Sequence, residues 1–220
     1  MGSITRRSLM QSGCAGLLGL SFTRRSKAAT SAATPEVLNA KWLKRYGGES
    51  SARVIHRKRF REMMMAHFSS TPVKWHGARN VWQAMVNFMQ GPGSVHLEHG
   101  RYVVIDGFMP HFALSRGIVW IDTAITYSSQ PPPVVFAAMV RRRGMLQVRI
   151  FTNDRNLYND ERNLSQSFRR QFKAWVGLGK TKYQGKVVKS VLVSPAGDTR
   201  EIDARQLGLP PHLVGSKSIR

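Results

Sequence analysis

Between Ser51 and Phe68 the apolar positions Phe60, Met64 and Phe68 recur every fourth residue, with Met63 and His67 beside them. That spacing predicts an amphipathic helix, with Arg53, Arg57, Lys58 and Arg61 largely off its seam. The consecutive methionines 63–65 read as adaptable core filler, and Ser69-Ser70-Thr71-Pro72 ends the segment. A second helix is predicted over Arg79–Gln90, where Val81, Trp82, Met85, Val86 and Met89 form a broad apolar face and Gly91-Pro92-Gly93 stops it. A third runs from an Asn163 cap, with Gln166 as capping-box partner, to about Val176. Its stripe is Leu164, Phe168, Phe172 and Trp175, while Arg169, Arg170 and Lys173 face elsewhere.

Between the second and third helices the period shortens. Tyr102–Ile105, Gly117–Ile121, Val134–Val140 and Leu146–Phe151 read as strands, and Lys186–Val193 as a fifth. Gln130-Pro131-Pro132-Pro133 is a rigid connector, Arg141-Arg142-Arg143-Gly144 a hairpin turn, and Pro195-Ala196-Gly197-Asp198 a turn towards Arg200-Glu201-Ile202. Helices followed by closely connected strands predict an α+β fold: a mostly antiparallel sheet of about five strands with two or three flanking amphipathic helices. The expected organisation is a leader over 1–33, a linker over 34–49, one domain over 50–210 and a flexible tail over 211–220.

The leader is read from Thr5-Arg6-Arg7-Ser8-Leu9-Met10, a paired arginine ahead of a short apolar run, Gly13–Phe22. Arg24, Arg25 and Lys27 follow, then small residues from Ala28 to Ala33, giving the order of a secretory signal peptide with cleavage after Ala33. The run is shorter and richer in glycine than the roughly 20 apolar residues a spanning helix needs. Arg6 and Arg7 make the segment resemble the Tat type, which implies export of the folded chain to the bacterial periplasm by the Tat machinery.

Charge narrows the partners. The five basic residues in that leader take the formal net charge from +22 to +17 on the mature chain, an imbalance that attracts anionic surfaces. Cys14 is the one cysteine and lies in the leader, so the mature chain holds no disulfide and no cysteine nucleophile or ligand. Gln11-Ser12-Gly13 lacks the aliphatic residue a lipoprotein cysteine needs three places ahead of it, and no later apolar run is long enough to span a membrane.

Several suggestive strings carry no chemistry. Gly177-Leu178-Gly179-Lys180-Thr181 has Ala174 where a phosphate-binding loop needs glycine, and it closes a helix instead of opening one. His96-Leu97-Glu98-His99 splits its ligands between two faces if it is a strand, and no second cluster completes a metal site. No catalytic serine or zinc-helix motif is present, and Asp106, Asp122, Asp154 and Asp160 cannot be given catalytic roles from spacing. No cofactor is expected.

The segment Tyr102–Ile121 stands apart, because a strand enters a short loop, Phe108-Met109-Pro110-His111-Phe112, and a second strand leaves it. Proline fixes its own backbone and restricts the residue before it, which should hold His111 at a defined place. Here the chain resembles the Ivy-like periplasmic inhibitors of vertebrate C-type lysozyme. Their strand–loop–strand carries Cys-Lys-Pro-His-Asp-Cys and inserts its histidine between the catalytic carboxylates of the lysozyme. Pro110 and His111 match that loop, Phe108 and Ala113 replace its cysteines, and Phe112 replaces its acid. Looser similarity continues through Ser115, Ile118 and Val119, the strand Phe136–Val140, and Leu146 to Asn153-Asp154, covering roughly residues 79–155. The resemblance implies a non-enzymatic protein that recognises a periplasmic protein through the His111 loop, with a cell-wall hydrolase as the candidate it would inhibit. A basic lysozyme would be repelled by the +17 charge, which points to an inherited fold with another target.

Two alternatives stand beside that reading. One is a polyanion-binding module for lipopolysaccharide, nucleic acid or an acidic polymer, using Arg141, Arg142 and Arg143 at a hairpin tip with Arg169, Arg170 and Lys173. The other is an enzyme on a cystatin- or NTF2-like scaffold, which a large pocket holding His111 or His99 with a carboxylate would favour and a shallow convex surface would disfavour.

Overall fold

Strands that are apolar on both faces need cover on both sides, and four consecutive segments of this chain are of that kind. They are β4 (Tyr102–Met109), β5 (Phe112–Asp122), β6 (Val134–Arg142) and β7 (Met145–Thr152), the centre of a seven-stranded sheet. The computed structural model describes residues 35–69, 71–124, 131–142, 145–178 and 185–215. The sheet is completed by β3 (Val95–Glu98) on one edge and by β8 (Val187–Val193) and β9 (Thr199–Ile202) on the other, in the order β3-β4-β5-β6-β7-β8-β9. Its pairings are antiparallel except β7 with β8, which is parallel. The fold is α+β, with seven strands where about five were expected; β3 and β9 are the additions. A separate hairpin, β1 (Pro72–Trp75) and β2 (Ala78–Asn80), begins at the proline read as a helix breaker.

The two faces carry separate cores. On one, α4 (Val81–Met89) packs Val81, Ala84, Met85, Phe88 and Met89 against Val103, Ile105, Val119, Ile121, Phe136 and Ala138. On the other, α6 (Gln166–Gly177) packs Phe168, Phe172, Trp175 and Val176 against Val104, Ile118, Trp120, Val135, Ala137 and Met139. The connection from β7 to β8 runs through α5 (Arg155–Asn159) and α6, which is why two parallel neighbours can join: the crossover supplies the second layer. No helix among the described residues is long and apolar enough to cross a membrane.

Several boundaries differ from expectation. The segment expected to be a linker holds α1 (Pro35–Leu38) and a 3₁₀ turn, Lys41–Tyr46, whose Leu43 and Tyr46 enter the first core with Ala40. Gly48 and Glu49 also hydrogen-bond with Val95. The helix expected over 51–68 is two, α2 (Ala52–Ile55) and α3 (Lys58–His67), because Arg57 is extended and swings its side chain back over Tyr46. The cap of α6 is Ser165, whose Oγ accepts from the Phe168 amide at 3.0 Å, rather than Asn163. Leu164, buried between the two, holds Asn163 in a separate 3₁₀ turn. The tail begins later than expected, since Leu213 lies in the second core and Val214 bridges to Val187. The leader, with Arg6 and Arg7, lies outside the described residues.

Candidate functional site

The β4–β5 hairpin is built to hold its tip still. Gly107 and Gly117 are paired across it, and Met89 at the end of α4 fills the slot their missing side chains leave. On the outer edge of β4, Gly91-Pro92-Gly93-Ser94 runs alongside as an irregular brace. The Gly91 amide donates to the Phe108 carbonyl at 2.7 Å, the Asp106 amide to the Ser94 carbonyl at 3.1 Å, and the Ser94 amide to Asp106 Oδ1 at 2.6 Å. A β-carbon on Gly91 would lie 2.5 Å from the Phe108 ring, and one on Gly93 would lie 2.1 Å from the Asp106 carbonyl oxygen. The run expected only to end a helix therefore also braces the hairpin.

On the α6 face, Arg116 of β5 stacks on Trp175 and donates to the Val176 carbonyl at 3.2 Å, tying the hairpin to the end of α6. Burial lowers the Arg116 pKa, opposed by the charge of Asp106.

Beyond this base the five loop residues divide. Phe108 rests on Gly91, and Met109 packs against the first core. Pro110 and His111 are the two central residues of the turn between Met109 and Phe112, which pair with each other. Proline cannot take the positive φ that the usual hairpin turns need at the first central position. The register accordingly shifts between Phe108↔Arg116 and Met109↔Phe112, and His111 takes a φ of +64°. His111 is exposed, and Phe112 is 62% exposed, a large apolar side chain displayed at a turn. Phe108 and Met109 are thus anchors, and the surface offered outward is Pro110, His111 and Phe112.

The basic candidates on α6 are engaged in different ways. Arg169 is a strap: its guanidinium donates to the carbonyls of Leu164 at 3.2 Å, Glu161 at 2.7 Å and Gln206. Arg170 is paired with Glu98, which also accepts from the Ser167 hydroxyl. Burial works to raise the Glu98 pKa, and the hydrogen bonds from Ser167, Arg170 and Gln171 outweigh it, holding the carboxyl below its ordinary range. These two arginines knit the second layer together and leave the polyanion candidate. Lys173 is exposed on the rim of a cavity of about 630 Å³ lined also by Arg170, Leu178, Pro210, His212 and Leu213, with no carboxylate in its lining. Arg141 pairs with Leu146 and Arg142 with Met145 along the β6–β7 hairpin; Arg143 lies outside the described residues.

His96 and Glu98 do share a strand face, but each is engaged elsewhere, His96 Nε2 with Ser94 Oγ at 2.7 Å and Glu98 with α6. Among the described residues no group of three or more His, Cys, Asp or Glu side chains is arranged to hold a metal ion.

The sequence reading missed a different basic cluster. Trp42 and Tyr46 meet edge-on with centroids 5.8 Å apart. Arg45 lies 5.9 Å from the Trp42 ring and 5.0 Å from the Tyr46 ring, Arg57 5.0 Å from Tyr46, and Arg59 5.1 Å from Trp42. The available signal was the run Lys41–Arg61 itself, eight basic residues against the single acid Glu49, interleaved with Trp42 and Tyr46.

Comparison with protein-family models, with curated proteins and with solved structures finds no match to this chain.

Proposed function

We propose that this chain is an exported, non-enzymatic binding protein that docks Pro110, His111 and Phe112 into a concave site on a protein partner in the bacterial periplasm. The observation that supports this most is the contrast within five residues: Phe108 and Met109 are anchored, while His111 and Phe112 are displayed on a braced hairpin. A tip already fixed in shape loses little conformational entropy on docking. An exposed phenylalanine belongs to the aromatic class enriched at interface cores. The Ivy-like resemblance of the same segment makes a cell-wall hydrolase the partner class. The charge makes that partner acidic, since a basic one would be repelled on approach.

The test is a peptidoglycan-lysis assay with an acidic cell-wall hydrolase and a basic C-type lysozyme, each titrated with the protein purified from the periplasm. The acidic enzyme should be inhibited at a stoichiometric excess and the basic one left active. Phe112→Ala should relieve the inhibition. Inhibition that survives Phe112→Ala and His111→Ala would refute the assignment, as would full activity of both enzymes at every concentration.

A further inference from the structure

We propose that the surface formed by the Lys41–Tyr46 turn and the start of α3 is an electrostatic docking face for an anionic phospholipid membrane. Three guanidinium groups, Arg45, Arg57 and Arg59, converge on the two touching rings of Trp42 and Tyr46. Arg57 is further fixed by donation from its Nε to the Arg53 carbonyl at 2.9 Å, and Arg45 by donation to the Tyr46 hydroxyl at 3.0 Å. Stacking on a ring orients a guanidinium while leaving its donor edge open, and that planar fork matches phosphate oxygens. None of the three is among the ion pairs of the described residues, although all are exposed.

Two of the three neighbouring acids are paired with other cations. Glu49 is paired with Arg53 at 2.8 Å, and Glu62 lies 3.8 Å from Lys58. Glu36 and Glu62 share a shallow recess with Val37, Lys58 and Arg59. Lys41 and Lys44, in the same 3₁₀ turn as Trp42 and Tyr46, add positive charge to that segment.

The occupant follows from what the face does not offer. Single-stranded nucleic acid binds proteins by stacking bases on open aromatic faces. Here those rings already carry the chain's own arginines, and Tyr46 is buried. An inserting amphipathic helix would turn its apolar side outward, but α3 turns Phe60, Met63 and Met64 into the core. What remains is a set of exposed, phosphate-seeking guanidiniums held on two rings. That combination suits a surface of mobile lipid phosphates, which can rearrange to meet fixed guanidiniums. This face uses none of the hairpin residues, so it stands or falls apart from the function proposed above.

The experiment is sedimentation of the periplasmic protein with vesicles of phosphatidylcholine alone and of equal parts phosphatidylcholine and phosphatidylglycerol. Binding should require phosphatidylglycerol and weaken steeply as salt rises, because surface charges are screened within about 10 Å at 0.1 M. Each basic residue at a membrane contributes about 1 kcal/mol, a fivefold change. Arg59→Gln should therefore weaken binding about fivefold, and the triple variant Arg45→Gln, Arg57→Gln, Arg59→Gln about a hundredfold. Among the described residues the Arg59 side chain is in no ion pair or hydrogen bond, so the single variant keeps the test valid should the triple variant fold poorly. His111→Ala should leave vesicle binding unchanged. Equal binding to both vesicle types, native affinity in both arginine variants, or tighter binding to a single-stranded oligonucleotide lost in the same variants would overturn the membrane assignment.

Discussion

Gly107 and Met89 are in closer contact than any other residue at position 107 would allow: a β-carbon there would lie 2.9 Å from the Met89 Cα and 3.1 Å from its carbonyl oxygen. The obstacle is helix backbone, which cannot rotate aside as a side chain can. Gly107→Ala should cost about 1–3 kcal/mol, the usual range for overpacking, measured by urea denaturation. A variant as stable as the native chain would show that α4 does not clamp the hairpin.

His67 supplies a pH dependence. Buried at the end of α3, its Nδ1 accepts from the Asn153 side chain at 2.8 Å. The Asn153 orientation is set by donation to the Pro132 carbonyl and acceptance from the Val134 amide. Burial pushes the His67 pKa down from 6.5 to about 4, opposed by the Leu38 carbonyl. The unfolded chain therefore binds a proton between these values that the folded chain refuses. Stability is full above pH 6.5 and falls as pH drops towards 4, by roughly 3 kcal/mol from this one group. Thermal melts from pH 7 to pH 4 should show that loss, and His67→Gln should flatten it. An equally steep decline in the variant would assign the acid limb to other groups.

Two basic side chains one turn apart on α6 should behave oppositely. Arg169→Ala removes three hydrogen bonds to carbonyls, that of Glu161 keeping only the Leu164 amide, and should cost about 2 kcal/mol or more. Lys173→Ala, on an exposed position, should stay within about 0.5 kcal/mol of native. Chemical denaturation of both variants checks the strap directly; equal stabilities would contradict it.

The proposed export is tested at the paired arginines. Arg6→Lys with Arg7→Lys keeps the charge and removes the planar guanidiniums. The precursor should then remain in the cytoplasm, while the native chain reaches the periplasm about 33 residues shorter. Normal export of the double variant would remove the Tat assignment.

The central strands and the three main helices were legible because their apolar periods are long and unbroken, as in Phe168, Phe172 and Trp175 or Val134 to Val140. The missed strands are short and close on turns with unusual chemistry. His76-Gly77 and His99-Gly100 take positive φ at both residues, where Asn-Gly or Asp-Gly would have signalled a hairpin. The first core's N-terminal part was missed because Ala40, Leu43 and Tyr46 are contributed by a 3₁₀ turn too short to show a period. The exposed tip was foreshadowed by Pro110, which rules out a strand there. Nothing in the spacing distinguished Phe108, resting on Gly91, from Phe112, pointing outward, since that depends on contacts across 17 residues of chain. Nor could spacing show that Arg169 and Arg170 are consumed by carbonyls and by Glu98.

His111→Gly examines the proposed binding hairpin most directly, because it separates recognition from folding. His111 holds a φ of +64°, a conformation glycine adopts without steric cost. The variant should be as stable as the native protein or up to about 1 kcal/mol more stable. Loss of the imidazole from a central binding residue should nevertheless weaken the complex by about 2 kcal/mol or more, roughly thirtyfold in Kd. Calorimetric titration of the native and His111→Gly proteins into the inhibited hydrolase, with thermal melts of each, gives both numbers. A thirtyfold or greater loss of affinity with an undiminished Tm is the predicted result; an unchanged Kd would contradict the account.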